Sequence, residues 1–347
     1  MTRAKKSTRS VPAPPSPVLV TGAAGFIGRS LCRALIEAGC EVRGLDVPGA
    51  DGGPLKAMGV ELMRGDIREA RELEAPLQGI RTVFHLAALA REWFPRETYM
   101  QINAEGTREM LMAAELAGVE RFVHMSSLAI HLFDGHVDGD EQTPAANLEF
   151  GYCAGKLVAE HHVHAASRRG LQTTIIRPGG AIFGPGDTTT FVHLAPAIES
   201  GVLPMLGGGH QLMCYSYVEN LVGGMVLAAA HPAGAGQTFI LTDDLKITVR
   251  EHAQAVADAL GVRVRFIPVP VRAGEAAGWL LERSYELLGI AHAPVLTRYR
   301  VGIVVRDFHF SCAKAKRLLG YRPRIAYREG LRRTVDWYRS RAQSSRA

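Results

Sequence analysis

Three side chains of this 347-residue chain have types and spacing suited to moving a proton: Ser127, Tyr152 and Lys156. Tyr152-Cys153-Ala154-Gly155-Lys156 opens a helical pattern running over about Gly151–Arg169. Residues four apart on a helix share a face, so phenol and ammonium point the same way. A free tyrosine, with a pKa of about 10, is a poor acid–base group at neutral pH. A lysine charge beside it favours phenolate and lowers that value. Tyr152 so tuned can exchange a proton with an alcohol or carbonyl during hydride transfer, and Ser127, just past a strand, is placed to hydrogen-bond the same oxygen. A Y-x-x-x-K pair often arises by chance on a surface helix. Its weight here comes from the elements that precede it.

The first of these is Val18–Gly39, VLVTGAAGFIGRSLCRALIEAG. Val18–Val20 is an apolar run of strand length. A glycine-spaced turn follows, and Ile27, Leu31, Ala34, Leu35 and Ala38 then recur at helical spacing until Gly39 stops the helix. Strand, glycine turn and helix form the context a dinucleotide fingerprint requires. Gly22 permits the tight turn, Gly25 lets backbone approach a pyrophosphate, and Gly28 lets helix and strand pack closely. The positive helix terminus then faces the phosphates. Asp46 ends a second strand, 24 residues after Gly22. An acidic residue there can bond ribose hydroxyls and repels a 2′-phosphate. No arginine follows it closely in sequence, which favours NAD over NADP. Asp66, ending a third strand, is within reach of an adenine.

Strands at Glu41–Asp46, Glu61–Arg64, Thr82–Leu86, Arg121–Met125 and Thr173–Arg177 alternate with helical patterns, the longest over about Thr98–Ala117 and Gly151–Arg169. This rhythm predicts an α/β fold, a Rossmann-type doubly wound parallel sheet with a smaller mixed α/β substrate-binding region. Residues 1–16 read as a disordered basic leader and 17–180 as the NAD-binding domain, with return segments near 214–242. The substrate-binding region takes 181–213 and 243–347. With 47% hydrophobic and 21% charged residues the composition is that of a soluble globular protein. The net charge of +6 is raised by the two ends, Arg3, Lys5, Lys6 and Arg9 in the leader and Arg328, Arg332, Arg333, Arg339, Arg341 and Arg346 at the other. These read as a solvated tail and helix face rather than a nucleic-acid site. The leader has no apolar signal core and no stretch reaches ~20 apolar residues, so no span is expected. The five cysteines show neither metal nor disulfide spacing, in keeping with a cytoplasmic protein. His161 and His164 share a helix face but lack a third ligand type, and no metal is expected.

From Val18 to about Trp337 the chain resembles the extended short-chain dehydrogenase/reductase family. The resemblance rests on TGAAGFIG at Thr21–Gly28, Gly65-Asp66, HLAA at His85–Ala88, INAEGT around Asn103, MSS at Met125–Ser127, YCAGK at Tyr152–Lys156 and RPGGAIFGPGD at Arg177–Asp187. It implies that Ser127, Tyr152 and Lys156 are catalytic, Lys156 also binding the nicotinamide ribose. It implies a cofactor site of Gly22, Gly25, Phe26, Ile27, Gly28, Asp46, Asp66, Ile67, Leu86, Ala87, Ala88, Asn103, Tyr152, Lys156, Pro178 and Gly179, with Pro178 and Gly179 bordering the nicotinamide. Asn103 in this family more often supports the architecture than reacts.

SYVENLVGGMVLAA (Ser216–Ala229) and the stretch Ala313–Tyr338 look like the 3β-hydroxysteroid and sterol-carboxylate dehydrogenase branch, whose segments bacterial 3-oxoalkanoate reductases share. Three departures from the sugar-nucleotide branch stand out. No Asp-Glu pair follows the catalytic hydroxyl, Met213 stands where epimerases carry a phosphate-binding arginine, and His131-Leu132 replaces Tyr-Gly. Trp93, Phe94, His131–Phe133, Phe191, Met205, Leu206, Met213 and Tyr215 are the candidate pocket segments, and their apolar character suits a steroid-like or long-chain substrate. A nucleotide diphosphate would need cations, for which Arg298 and Arg300 are the candidates. The expected function is thus NAD(P)-dependent interconversion of a secondary alcohol and ketone on an apolar small molecule. The alternatives are an NDP-sugar epimerase of the same family or a non-catalytic dinucleotide-binding scaffold. The long helices predict a homodimer through a four-helix bundle, with Ala113, Ala114, Ala117, Val158, Ala159, Ala165 and Ala166 permitting close approach. Peripheral membrane contact stays open.

Overall fold

The structure is a computed structural model that describes residues 12–344. Seven parallel strands form one sheet in the order Gln237–Leu241, Gln172–Pro178, Arg121–Met125, Thr82–His85, Val18–Thr21, Val42–Asp46 and Glu61–Arg64. Alternate residues on each strand serve opposite faces. Val18, Val20, Phe84, Val123 and Ile176 pack under the helices Phe26–Glu37 and Val218–Ala230. Leu19, Val83, Phe122 and Ile175 join the opposite core, with Leu111 and Val163 from the helices Gly106–Leu116 and Gly151–Arg169. Both faces are covered, which is why these strands read as nearly continuous apolar runs.

Strand order reverses between Val18–Thr21 and Thr82–His85, which pair with Thr21 opposite His85. Ligands of open α/β sheets bind in the crevice at the carboxyl ends of such a pair. The expected strands are present with end shifts of one residue, and Gln237–Leu241 adds the seventh.

The predicted helix over Thr98–Ala117 is instead a short turn Arg96–Tyr99, a wide π stretch Met100–Glu105, and then Gly106–Leu116. The Asn103 side chain brackets Leu89, accepting from its N–H at 2.7 Å and donating to its carbonyl at 3.1 Å. The Thr107 hydroxyl meanwhile donates to the Asn103 carbonyl at 2.7 Å. Such π bulges concentrate where one side chain must be turned to a task.

Ala114, Ala159 and Ala166, expected at a dimer seam, are fully buried within the chain's own fold. Met112 and Leu116 are the large apolar side chains that the Gly106–Leu116 helix leaves exposed.

Of the expected leader, residues 1–11 lie outside the described residues. Pro14–Ser16 differs from the expected disorder. Thr82 donates its hydroxyl to the Pro15 carbonyl at 2.6 Å, and the Glu41 N–H donates to the Ser16 hydroxyl at 2.9 Å.

The smaller region holds a second core around Phe191, Ile198, Tyr215, Tyr217, Val256, Phe308 and Phe310. Its helix pair Val271–Leu287 and Arg298–Val305 brings Tyr285 and Tyr299 to the cavity that Tyr152 lines. At the C-terminus Arg332 pairs with Glu329 and Asp336, and Arg333 with Glu329 and Glu219. That is the solvated helix face the sequence suggests.

Candidate active site

The glycine turn has the form that a dinucleotide needs. Gly22 has φ +68°, and a Cβ there would lie 2.9 Å from the Ala87 nitrogen. A Cβ on Gly28 would fall 2.1 Å from the Gly22 carbonyl oxygen, so this glycine is demanded by close packing. Thr21 ties the two strand ends together, its hydroxyl 2.9 Å from His85 Nδ1 and accepting from Ala87 N–H at 3.1 Å. The helix from Phe26 has neither a side-chain cap nor an acidic residue in its first turn. Its first N–H groups, those of Phe26, Ile27 and Gly28, have no intrahelical acceptor and face the crevice with the positive helix end. This turn fits a pyrophosphate.

Asp46 is pinned to that turn: Ala24 N–H donates to its Oδ2 at 2.8 Å and Val47 N–H to its Oδ1 at 2.9 Å. The sequence hides one neighbour. Arg64, register partner of Asp46, donates to the Val47 carbonyl at 3.2 Å, so an arginine does stand beside Asp46. The Asp66 carboxylate is held by Arg68, which keeps its pKa below the usual range, while Ile67 is buried beside it. Leu86–Ala88 follow the Thr82–His85 strand, and Leu86 N–H donates to the Thr21 carbonyl at 3.2 Å. Pro178 ends its strand, and Gly179 lies so close to Ser216 that a Cβ would meet its hydroxyl at 2.6 Å. Asn103 holds the Leu89 backbone, an architectural task.

Ser127, Tyr152 and Lys156 converge where the Arg121–Met125 strand meets the Gly151–Arg169 helix. The Ser127 hydroxyl lies beside the Tyr152 phenol and accepts from Ala129 N–H at 3.1 Å. Lys156 donates to the Met125 carbonyl at 2.7 Å. The expectation that Lys156 lowers the Tyr152 pKa is corrected. Burial pushes the phenol up to about 12, with only the neighbouring Ser127 hydroxyl opposing it. Burial also brings Lys156 down to about 8, against the Glu160 charge one turn further along. The cause is one dry site penalising both charged forms. Glu160 is itself buried and clamped by Arg177 at 2.6 and 2.9 Å. Its i,i+4 spacing from Lys156 is the sequence signal for this pairing.

A cavity of about 550 Å³ opens from Tyr152. Trp93 and Phe94 line it as expected. Phe191, Met205, Met213, Tyr215 and His131 do not; they are packed inside the protein, and the cavity is walled instead by Tyr99, Phe150, Tyr285, Ile290 and Tyr299. Tyr99 and Tyr299 stand edge-on to Tyr152, each with ring centres 6.5 Å away. Trp93 has φ +76° and is held by its indole N–H, which donates to the Ile290 carbonyl at 2.9 Å.

Both candidate arginines are already paired. Arg298 binds Glu282 at 2.7 Å and approaches Glu149 at 3.5 Å, while Arg300 binds Glu92 at 2.8 Å. Tyr299, between them, lines the cavity, and nothing in its local sequence marks it for that place. Of the arginines lining the cavity, Arg91 alone makes no side-chain hydrogen bond or ion pair among the described residues.

No described helix is long and apolar enough to cross a membrane. The comparisons with known proteins agree with this geometry. Residues 18–241 match the NAD dependent epimerase/dehydratase family. The chain is 31% identical over 324 residues to the 2-alkyl-3-oxoalkanoate reductase of Stenotrophomonas maltophilia, covering 91% of this chain and 97% of that one. It is 34% identical over 342 residues to the 3 beta-hydroxysteroid dehydrogenase/Delta 5→4-isomerase of Mycobacterium tuberculosis, covering 92% and 90%. Among solved structures, dTDP-glucose 4,6-dehydratase of Streptomyces venezuelae with NAD bound superposes with TM-score 0.74 at 25% identity, over 95% of this chain and 98% of that one. This chain therefore belongs to the NAD dependent epimerase/dehydratase family, the extended short-chain dehydrogenase/reductases, and is an NAD(P)-dependent oxidoreductase of that type.

Proposed function

We propose that the enzyme interconverts a secondary alcohol and a ketone on an apolar substrate, a sterol-like ring system or a long-chain 3-oxo compound. The observation that carries this reading is the placement of the Tyr152 phenol, beside Ser127, on an aromatic cavity whose Arg298 is already paired, as is the neighbouring Arg300 outside its lining. When bound, the nicotinamide dinucleotide supplies or accepts the hydride. Tyr152 holds the proton that the carbonyl oxygen takes up in reduction and receives it back in oxidation. Ser127 orients that oxygen. Lys156 binds the ribose and stabilises the phenolate left after proton transfer. Gly22, Gly25 and Gly28 admit the pyrophosphate, and Asp46 bonds the adenosine ribose. We assign NAD as the preferred carrier on the strength of Asp46.

The relatives support this class from two sides, one named for a 3-oxoalkanoate and one for a 3β-hydroxysteroid. The second reading is a sugar-nucleotide epimerase, favoured by the likeness to the dTDP-glucose 4,6-dehydratase. The paired arginines weigh against it, because a diphosphate requires free convergent cations. The test is a screen of the purified enzyme with sterols, 3-oxo acids and UDP-sugars, following absorbance of the reduced cofactor. Net cofactor turnover with an apolar ketone or alcohol supports the proposal. Sugar interconversion without net turnover sinks it. Within the apolar class Arg91→Ala separates the substrates, since a free guanidinium binds a 3-oxo acid's carboxylate and has no counterpart on a sterol.

A further inference from the structure

His124 lies on the Arg121–Met125 strand, fully buried, and neither of its ring nitrogens has a hydrogen-bond partner among the described residues. His85, its register partner on the Thr82–His85 strand, stacks on it with ring centres 5.6 Å apart. His85 uses both of its nitrogens, toward Thr21 at 2.9 Å and Thr107 at 3.0 Å. Two residues beyond His124, the buried Ser126 hydroxyl is also without a partner among the described residues. Ser126 N–H donates to the Ile176 carbonyl at 2.8 Å, so the ladder runs on through this position and His124 and Ser126 share one face of the sheet. The helix Gly151–Arg169 covers that face, where Phe122 and Val163 belong to one core. From this helix Lys156 reaches the carbonyl of Met125, the residue between His124 and Ser126. An ammonium has more protons to give than that single bond takes. Buried polar groups with unused bonding capacity cost stability and call for a cause.

We propose that His124 and Ser126 are positioning residues for Lys156: with it they hold one internal water, through which the imidazole lone pair keeps the ammonium charged and turned to the cofactor ribose. This role rests on the assignment of Lys156 to the ribose and the phenolate, and not on which ketone is reduced. A buried water is held by about three polar partners, the set that converges here. Burial, then the Lys156 and His85 charges, hold His124 well below its ordinary pKa, so the imidazole stays neutral and has a lone pair to offer. Lys156 also faces Tyr152 and Glu160 on its own helix, with Glu160 clamped by Arg177 from the Gln172–Pro178 strand, and His85 from the Thr82–His85 strand. Glu160 supplies charge from one side of the ammonium. His124 and Ser126 supply hydrogen bonds from the strand side.

Two measurements test this without any substrate. The first is NADH affinity by calorimetry between about pH 6 and pH 10. In the parent, affinity is expected to fall as pH rises through about 8, where Lys156 loses its proton. His124→Phe keeps a ring against His85 and removes both nitrogens, and should move that fall about one pH unit lower, the effect of one lost hydrogen bond to a charge. Ser126→Ala should move it the same way by less. His124→Gln retains a donor and an acceptor and should keep the parent's profile. His124→Phe should melt no lower than the parent, because it removes two unpaired buried nitrogens, so its loss of affinity is separable from unfolding. The second measurement follows the His124 ring nitrogens by NMR of the histidine-labelled protein, the signal being assigned by its loss in His124→Gln. Its shifts should step near pH 8, and Lys156→Met should remove the step. These spectra decide the matter if His124→Phe does not fold. A fall in affinity at the parent's pH in His124→Phe overturns the proposal. So does an equal displacement in His124→Gln, or a His124 signal indifferent to Lys156. A parent whose affinity does not fall by about pH 10 removes the Lys156 assignment and this proposal together, whereas a fall that is present and unmoved strikes the proposal alone.

Discussion

The Lys156 ammonium donates to the Met125 carbonyl at 2.7 Å, joining the helix that carries Tyr152 to the strand that leads to Ser127. The bond holds a buried charge in a site dry enough to bring its pKa down to about 8, while the phenol beside it rises to about 12. The phenol therefore keeps its proton throughout the neutral range, and we propose that it serves as the acid of ketone reduction. The lysine is the group that titrates. We expect kcat/KM for reduction to fall as pH rises through about 8, when the ammonium is lost, and Lys156→Met to lower cofactor affinity and remove that limb. A profile flat from neutrality to about pH 10 would contradict this.

Buried histidines should make the fold acid-sensitive. His85 and His252 are brought down to about 3 and His131 to about 4, in each case chiefly by burial. Unfolded histidine binds its proton near pH 6.5 and these folded ones do not, so each lost pH unit below 6.5 costs about 1.4 kcal/mol per histidine. Asp243, raised to about 6 by burial, works the other way, since its folded form takes up a proton first. The depressed histidines, with buried His124 also held well below its usual value, outnumber this one opposing group and leave a net loss. Urea midpoints should drop between about pH 7 and pH 5, and His252→Gln should shallow the slope.

We propose that cofactor choice depends on two residues that the sequence separates and the sheet pairs, Asp46 and Arg64. On this proposal Asp46 disfavours a 2′-phosphate, and Arg64 receives one once the carboxylate is gone. Calorimetry should find NAD(H) tighter than NADP(H), partial reversal in Asp46→Ala, and loss of the gained NADP(H) affinity in the double variant with Arg64→Ala. Equal affinities in the parent would count against the assignment.

The legible parts of this molecule were those that local chemistry dictates. A glycine turn, an apolar run or a Y-x-x-x-K pair declares itself within a few residues, so the sheet and the convergence of Ser127, Tyr152 and Lys156 could be read directly. The cavity could not. Met213 and Tyr215 are as apolar as Trp93, and only the packing of the smaller region decides which of them faces a ligand. Arg298 and Arg300 looked like free cations because Glu282 and Glu92 lie 16 and 208 residues away. The Tyr152 pKa departs from its sequence expectation for a similar reason. A lysine four residues on is visible in sequence, whereas the burial that outweighs it is a property of the whole fold.

Self-association through the Gly106–Leu116 and Gly151–Arg169 helices is a proposal that the exposed Met112 and Leu116 support and the buried Ala114, Ala159 and Ala166 do not. Light scattering at micromolar concentration should return a dimer, and Leu116→Asp with Met112→Asp should halve the mass without loss of NAD binding. A monomeric parent would remove the proposal.

The central claim is that the Tyr152 phenol is the proton donor and acceptor. Tyr152→Phe keeps the ring between Tyr99 and Tyr299 and removes only the hydroxyl, so folding and NAD affinity should persist. General acid–base transfer typically contributes ~10²–10⁴ in rate. On a substrate confirmed by the screen, kcat of Tyr152→Phe should fall by about that factor with the NAD dissociation constant unchanged. Turnover at the parent's rate would contradict the account.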